Sequence, residues 1–432
     1  MAALTVERIY SRPALIVVRS LVGLLFLFSG FVKGVDPWGL VIKMGEYFTV
    51  WHIDMPGAVI TFASFFLSAF EFVWGGLLLL GCYRRFSVWM LSLCMAFMLP
   101  LSAWLMFADP VSDCGCFGDF LHVSNTATFL KNVAICLGLA YLWRFNTRVE
   151  GLFGSYIHWI VGGLLTFYIL SVELFGYNVQ PMQDYRRFAP GTALLSDIES
   201  GDSEPLKYIY ERDGERREFS IDALPDSTWT FVDRVEPELT ESDTESPLSV
   251  LDEDGEDVAE DIVDTSAPQF IVTIPDLTKV DLSCTYLINE LNDFITPRGG
   301  SVVALIGSGE KGLEWWRDIS MASYPIYRAD PSQLRELARG NVAIIYLDKG
   351  IVKWKRAVSS ISYTLVTETP SHLLINTIDP RCSYWLGILS WGLGVILLVL
   401  FLLDRSGKLI HWHFTVGRRR AARPTSENQS KS

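Results

Sequence analysis

Two cysteines separated by one residue, Cys114 and Cys116, are the side chains of this sequence best suited by type and spacing to redox chemistry. A thiol pair can form a disulfide or exchange one with a partner. A disulfide across one residue closes a tight ring, and Gly115 accepts the backbone angles that such a ring demands. Strain of this kind makes the bond exchangeable. Three interpretations stay open: a structural disulfide or two packed thiols, a redox-active pair, and a metal site.

The polar residues near Cys114 and Cys116 bear on the redox interpretation and on the metal interpretation. Asp113 and Asp119 are expected to raise the pKa values of the thiols and to lower the thiolate fraction, which opposes reactivity. The same two carboxylates and His122 could complete a metal site with the cysteines. Their spacing matches none of the common zinc patterns, so Asp113, Asp119 and His122 are weak metal candidates.

The cysteine pair lies between two long apolar runs of a chain that contains six of them. A helix needs roughly 20 mostly apolar residues to cross a bilayer. Six segments meet this requirement: 14–33, 57–81, 86–107, 128–145, 157–176 and 383–403. The first follows Arg8 and Arg12 and has no small-residue cleavage site after it, so it is predicted to be a signal anchor.

Charge is segregated along the chain, whose formal net charge is -13. Residues 177–380 contain 37 acidic and 18 basic residues, whereas the remainder contains 12 acidic and 18 basic residues. This division predicts an acidic soluble domain and a membrane part with basic flanks. The lipid bilayer is therefore the first predicted partner, and no nucleic-acid partner is predicted.

The basic residues in short connections predict the orientation in the membrane, because they accumulate on the cytoplasmic side. Four groups fall on one side if both termini are cytoplasmic: Arg8 and Arg12; Arg84 and Arg85; Arg144 and Arg148; and Arg405, Lys408, Arg418, Arg419, Arg420 and Arg423. The prediction is a bacterial inner-membrane protein in which the Cys114 loop and residues 177–380 are extracytoplasmic.

Ionisable residues inside the predicted helices form a second candidate site. Charged groups at membrane depth are costly and are usually paired or face a polar cavity. Arg19 and Glu71 are predicted to pair, either to fix helix packing or to form a proton or quinone site. Lys33 and Glu173 lie near helix ends and are expected to extend to the interface.

The chain is predicted to divide into several parts. Residues 1–156 have the pattern of a four-helix bundle, followed by the fifth helix at 157–176. Residues 177–233 are a small β-rich subdomain, in which Asp213-Gly214 predicts a hairpin turn. The sixth helix at 383–403 precedes a basic cytoplasmic tail at 404–432.

Residues 234–268 are predicted to be a disordered acidic linker. Thirteen acidic residues and no Lys or Arg lie between Glu236 and Asp264. Such a stretch repels itself and buries little apolar surface. A calcium site is the alternative, although the spacing matches no EF-hand loop.

The region 269–368 alternates between strand and helix patterns. The predicted strands are 270–274, 302–306, 342–347 and 351–354, and the predicted helices are 283–296, 310–321 and 331–339. This alternation indicates an α/β layer fold.

The membrane part resembles two related families. The run Arg19 to Asp36, with Phe28-Ser29-Gly30 and Lys33, resembles the first helix of the DoxX family, and Glu71 with Gly75-Gly76 resembles its second. The Cys114-Gly115-Cys116-Phe117-Gly118 loop is similar to that of MauE, the methylamine utilisation proteins. The resemblance covers about residues 10–145. It implies a four-helix inner-membrane protein linked to redox processes, namely maturation of a disulfide-rich dehydrogenase subunit for MauE and a quinone-linked oxidase for DoxX.

The segment 269–356 resembles a thioredoxin fold, especially where strand 342–347 enters Asp348-Lys349-Gly350. No Cys-x-x-Cys follows its first strand, and Cys284 alone lies near that position. Asn341 stands where the family has a proline. The resemblance therefore implies a degenerate thioredoxin-like domain that binds or scaffolds without cycling a dithiol.

The expected fold is thus a membrane all-α bundle of DoxX/MauE type with two further transmembrane helices and an α/β thioredoxin-like domain. In one functional hypothesis, Cys114 and Cys116 relay electrons between an extracytoplasmic thiol protein and a membrane quinone, the candidate cofactor. In the other, the protein is a scaffold whose thioredoxin-like domain docks an extracytoplasmic client.

Overall fold

The structure, a computed structural model, describes most of the chain. The described residues are 12–108, 115, 118–121, 123–194, 207–212, 215–220, 230–235, 248–252 and 254–421, with the backbone alone for 207–212, 215–220, 230–235 and 408–421. They belong to two compact units. The first lies within Met1–Tyr177, Pro181–Gln183 and Cys382–Ser432, and the second within Asn178–Gln180 and Asp184–Arg381.

The helices and strands are numbered in chain order. The helices are α1 (Arg12–Val35), α2 (Pro37–Val50), α3 (Gly57–Leu80), α4 (Arg84–Ala108), α5 (Asn125–Phe145), α6 (His158–Asn178), α7 (Cys284–Ile295), α8 (Glu310–Ser320), α9 (Pro331–Leu337), α10 (Tyr363–Glu368), α11 (Leu374–Ile378) and α12 (Cys382–Ala421). The strands are β1 (Lys207–Arg212), β2 (Glu215–Ser220), β3 (Thr230–Val235), β4 (Val250–Leu251), β5 (Pro268–Ile274), β6 (Ser301–Ile306), β7 (Ile326–Ala329), β8 (Ala343–Asp348) and β9 (Ile351–Ala357).

The first unit is a bundle of long apolar helices. Within the described residues, six helices are long and apolar enough to cross a membrane, and they coincide with the six predicted segments. The prediction missed α2, whose 14 residues are too few for a span. This helix begins with Pro37 after Asp36, whose carboxylate accepts a hydrogen bond from Gly39 N at 3.2 Å.

Close contact between α1 and α3 organises the bundle. A Cβ atom on Gly30 would overlap the backbone of Phe72, and one on Gly23 would lie 2.8 Å from Leu79 N. The two helices therefore run antiparallel, with Gly30 beside Phe72 and Gly23 beside Leu79. Small residues of this kind let membrane helices approach until their backbones touch.

The remaining helices of the first unit complete its core. Buried side chains of α1, α4 and α5 form one cluster: Leu15, Val22, Phe26, Val88, Leu91, Met95, Ile135, Leu139 and Leu142. In the same unit, α12 packs against α6, where Tyr168 Oη and Ser390 Oγ are 2.8 Å apart. Asp404 also accepts a hydrogen bond from Gly154 N at 3.2 Å.

The second unit contains a six-stranded mixed sheet in the order β4-β7-β6-β5-β8-β9. Strands β5, β6 and β7 are parallel, whereas β8 is antiparallel to β5 and β9 to β8. Alternate β5 residues enter two cores: Phe270 packs with α7 and α8, and Ile271 with α9. The four predicted strands and three predicted helices of residues 269–368 are all present. Strand β7 and helix α10 of that region, and strand β4 before it, were not predicted.

The second half of the expected acidic linker is structured. The prediction of disorder was therefore wrong for residues 248–252 and 254–268. Residues 236–247 and 253 lie outside the described part. Apolar residues at intervals enter the core: Leu248, Val250, Ala259, Ile262 and Val263. The aspartates also satisfy backbone donors, since Asp252 accepts from Asp254 N and Glu256 N at 2.9 and 3.0 Å. Aspartate that binds its own turn in this way supports folded structure.

The predicted hairpin is also present. Strand β1 pairs antiparallel with β2, with Arg212 opposite Glu215, and with β3 on its other edge. The turn residues Asp213 and Gly214 lie outside the described residues.

A buried charge cluster lies within the second unit. Asp184 accepts hydrogen bonds from Arg186 Nε at 2.8 Å and Lys355 Nζ at 2.9 Å, and all three side chains are at most 6% exposed. Burial opposes the charge of Asp184, but Arg186 and Lys355 outweigh it and hold the pKa of this carboxyl well below its usual range. Burial and the nearby Arg186 lower the pKa of Lys355 to about 7.

The α1–α3 contact predicts the effect of one added methyl group. We expect Gly30→Ala to lower the free energy of unfolding by about 1–3 kcal/mol, because the helices must separate. Gly163→Ala on α6 is the matched control, since nothing lies within 4 Å of a Cβ atom there. Thermal unfolding in detergent measures both variants, and equal stability of the two would contradict the contact.

The charge cluster predicts a second stability effect. Asp184→Asn leaves Arg186 and Lys355 buried without a carboxylate, so we expect a loss of about 3–5 kcal/mol. In the control Asp348→Asn, the ion pair with Lys353 is 3.8 Å long and about two-fifths exposed, so the expected loss is below about 1 kcal/mol. Urea unfolding monitored by tryptophan fluorescence compares the two variants.

Candidate functional site

The cysteine loop is described only in part. Cys114 and Cys116 lie outside the described residues, whereas Gly115 between them and Gly118 are described. Gly115 has φ +64°, the left-handed region that favours glycine. Its carbonyl accepts a hydrogen bond from Gly118 N at 3.2 Å, and a Cβ atom on Gly115 would lie 2.9 Å from Cγ of Lys43. Gly115 therefore lies directly against the side chain of Lys43 on α2.

The following residues attach the loop to α1. A Cβ atom on Gly118 would lie 3.7 Å from Val32. The rings of Phe120 and Phe28 meet edge to face, with their centroids 5.2 Å apart. Both contacts fall in the last two turns of α1, so the described part of the loop is held at the end of the bundle where α1 ends.

A buried ion pair between Lys33 and Glu71 joins α1 to α3. Lys33 Nζ donates to Glu71 Oε1 at 2.9 Å and Oε2 at 2.7 Å, and the side chains are 5% and 4% exposed. Ser29 Oγ donates to Glu71 Oε2 at 2.7 Å and accepts from Lys33 Nζ at 3.0 Å. Lys33, expected to extend to the interface, is instead buried within the bundle.

The predicted pairing of Arg19 with Glu71 was therefore wrong, because Glu71 pairs with Lys33. The antiparallel register is the reason. Because Gly30 lies beside Phe72, Glu71 is level with Ser29 and Lys33. Arg19 lies about 21 Å from Lys33 along α1. Arg19 lies beside Gly81 at the other end of α3. It is 5% exposed, and its Nε and Nη1 atoms make no hydrogen bond within the described residues.

A second buried carboxyl joins α6 to α3. Glu173 is fully buried, and its Oε1 accepts a hydrogen bond from Ser68 Oγ at 2.5 Å. Its Oε2 has no hydrogen-bond partner within the described residues. Glu173 was also expected at the interface, and this expectation was wrong.

The described residues contain no group of three His, Cys, Asp or Glu side chains placed to hold a metal ion. Asp113, His122 and both loop cysteines lie outside them, and only Asp119 is described. The metal alternative therefore stays a prediction.

The cysteine of the second unit is unsuited to thiol exchange. Cys284, the single cysteine between 177 and 380, begins α7 and is 8% exposed. Burial, and then the neighbouring Asp281, raise the pKa of the Cys284 thiol to about 12. The thiolate, which is the reactive form, is therefore scarce at neutral pH.

The helices and the buried ion pair define the first unit as an integral membrane helical bundle. Residues 11–144, about a third of the chain, match the family model of methylamine utilisation protein MauE. The MauE resemblance is thereby confirmed for this part, which is of MauE type. Residues 206–239, which include β1 to β3, match a domain of unknown function, DUF8463. No curated protein matches the chain.

The sequence contained a signal for the true ion pair. Ser29 and Lys33 are four residues apart on one helix face, and Gly23 and Gly30 mark the face of α1 that contacts α3. If Gly23 or Gly30 of α1 is placed opposite Gly75 of an antiparallel α3, Glu71 lies closer to Lys33 than to Arg19. The bond between Ser68 and Glu173 has no comparable signal, because it joins helices 105 residues apart.

A pair of double-mutant cycles tests the ion pair. We expect a coupling of about 1–3 kcal/mol between Lys33→Met and Glu71→Gln, because the two side chains are in contact. The matched cycle of Arg19→Met with Glu71→Gln is expected to couple by less than about 0.5 kcal/mol, since these residues are far apart. Thermal unfolding in detergent measures both cycles, and a stronger coupling to Arg19 would contradict the assignment.

Proposed function

We propose that this integral membrane protein is a thiol–disulfide redox component that acts through Cys114 and Cys116. The observation that carries the proposal is the fixed position of the loop's glycines. Gly115 lies against Lys43 of α2 and Gly118 against Val32 of α1. The loop belongs to the part of the chain that matches MauE. A thiol pair on an anchored loop can meet a partner protein at one end of the bundle.

Lys43 supports the reactivity of the pair. Its side chain runs beside Gly115, which is bonded to both cysteines, and its Nζ lies 3.1 Å from Glu46 Oε2. A lysine ammonium near a thiol favours the thiolate. Its charge, which it shares with Glu46, opposes the effect expected from Asp113 and Asp119.

The proposed electron acceptor is a membrane quinone. In the balanced step, the two thiols become a disulfide, and their two electrons and two protons convert the quinone to a hydroquinone. An extracytoplasmic dithiol protein then reduces the Cys114–Cys116 disulfide by exchange and is itself left oxidised. The reaction therefore oxidises thiols of a client protein.

We also propose that the protein lies in a bacterial inner membrane with both termini cytoplasmic. The basic clusters beside the membrane helices support this orientation. The cysteine loop and the second unit would then face an oxidising compartment, where disulfides persist.

A second role, client binding, is proposed for the α/β part of the second unit. The parallel β5–α7–β6 unit followed by the antiparallel β8–β9 hairpin supports the thioredoxin-like interpretation. The buried Cys284, with its raised pKa, supports a domain that binds without exchanging thiols.

Differential alkylation of the loop in intact membranes tests the redox proposal. We expect a mild reductant to make Cys114 and Cys116 accessible to a maleimide, and added quinone to restore their protection, because the disulfide forms again. Mass spectrometry of the loop peptide measures both states. Cys94, which lies within α4, is the internal reference for reagent access.

The double variant Cys114→Ser, Cys116→Ser tests the role of the pair, and Cys284→Ser is the matched control. The double variant should leave extracytoplasmic client thiols more reduced, whereas Cys284→Ser should not. A pair that stays protected in reductant, or stays reduced with quinone present, would contradict the redox role and favour the scaffold.

A further inference from the structure

A small cavity with a mixed polar and apolar lining lies in the bundle beside the Lys33–Glu71 ion pair. Its polar lining consists of Ser29, Lys33, Glu71, Lys131 and Asn132, and its apolar lining of Leu25, Phe26, Met95, Met98 and Ile135. All of these residues belong to α1, α3, α4 and α5. The cavity therefore lies inside the first unit, separate from the described residues of the cysteine loop.

Hydrogen bonding at this cavity is incomplete. Lys33 uses its three donors on Ser29 and the two oxygens of Glu71. Asn132 is 4% exposed and lines the cavity, yet its Nδ2 donor has no partner within the described residues. A buried donor without an acceptor costs about 1–3 kcal/mol. The cavity thus offers a donor on Asn132 and a spare lone pair on Glu71 Oε1.

A second unpaired polar group lies on the same face of α5. Thr128 is 1% exposed, and its Oγ1 makes no hydrogen bond within the described residues. It precedes Asn132 by four residues, so the two side chains are stacked one turn apart. Asn125, also buried, begins the helix one turn earlier. These three residues form a polar column along the first two turns of α5.

We propose that this column and cavity hold a short file of water molecules that gives the Lys33–Glu71 pair proton exchange with the end of the bundle where α5 begins. A water molecule can accept a hydrogen bond from Asn132 Nδ2 and donate one to Glu71 Oε1, which satisfies both groups. Thr128 supplies the next polar contact along the column. The ligand is water, through which the ion pair would exchange its proton.

The dimensions fit this ligand. The cavity has a volume of about 30 Å³, enough for about two water molecules. The column from Asn125 to Asn132 contains eight residues of helix, and the seven steps between its ends cover roughly 10 Å. Buried water usually makes about three hydrogen bonds to otherwise unsatisfied groups, which are present here.

Radiolytic footprinting of the full-length protein tests the proposal with H₂¹⁸O as the probe. A brief X-ray pulse converts bound water to hydroxyl radicals, which oxidise the nearest side chains. Met95 lines the cavity and is 4% exposed, whereas Met182 of the same unit is 1% exposed and does not line it. We expect Met95 to be oxidised roughly tenfold faster than Met182, because only Met95 would have buried water beside it. ¹⁸O incorporation after timed mixing measures exchange with bulk water.

Two variants identify the water-binding groups. Asn132→Leu and Thr128→Val keep the side-chain size and remove the polar atoms, so each should lower Met95 oxidation and slow ¹⁸O uptake. Thr166→Val is the matched control, because that hydroxyl donates to Gly162 O at 2.9 Å within α6. Oxidation of Met95 no faster than that of Met182 in the unaltered protein overturns the proposal. Oxidation that both column variants leave unchanged also overturns it.

Discussion

The backbone contact between α1 and α3 is the constraint on which the rest of the bundle depends. Gly30 leaves no room for a side chain against Phe72, so the two helices have one register along their length. That register brings Lys33 and Ser29 to Glu71 and leaves Arg19 at the opposite end. Burying the pair is tolerable because hydrogen bonds satisfy all three donors of Lys33. Packing of small residues thus determines which charges meet.

The elements of the fold were largely predictable from the sequence, and the contacts were not. Apolar runs of membrane length located the six candidate spans of the described residues. Runs of β-branched residues located β5, β6, β8 and β9, because both patterns are local. The partner of Glu71 depends on how α1 and α3 are shifted relative to each other, and residue types alone do not determine that shift. The bond from Ser68 to Glu173 depends on two distant segments meeting. Functional contacts of this kind follow from packing.

The acidic stretch that precedes β5 illustrates why composition can mislead. Its net charge predicts a self-repelling coil, yet Val250, Ile262 and Val263 are spaced to reach the core of the sheet. Asp257 accepts hydrogen bonds from Val250 N and Ala259 N, and these contacts, despite an opposing desolvation cost, keep the pKa of its carboxyl low. Carboxylates that bind backbone donors stabilise turns. Position relative to apolar residues mattered more than the total charge.

The contact between Glu173 and Ser68 has a consequence for how the bundle is assembled. The MauE match ends at residue 144, so α6 lies outside it, whereas Ser68 on α3 lies within it. In a bundle limited to the matched helices, the Ser68 hydroxyl would face lipid or a separate subunit. Here a covalently attached helix fills that position, which gives the contact a high effective concentration. Helix α6 of this chain thereby covers a polar face of α3 from within the same polypeptide.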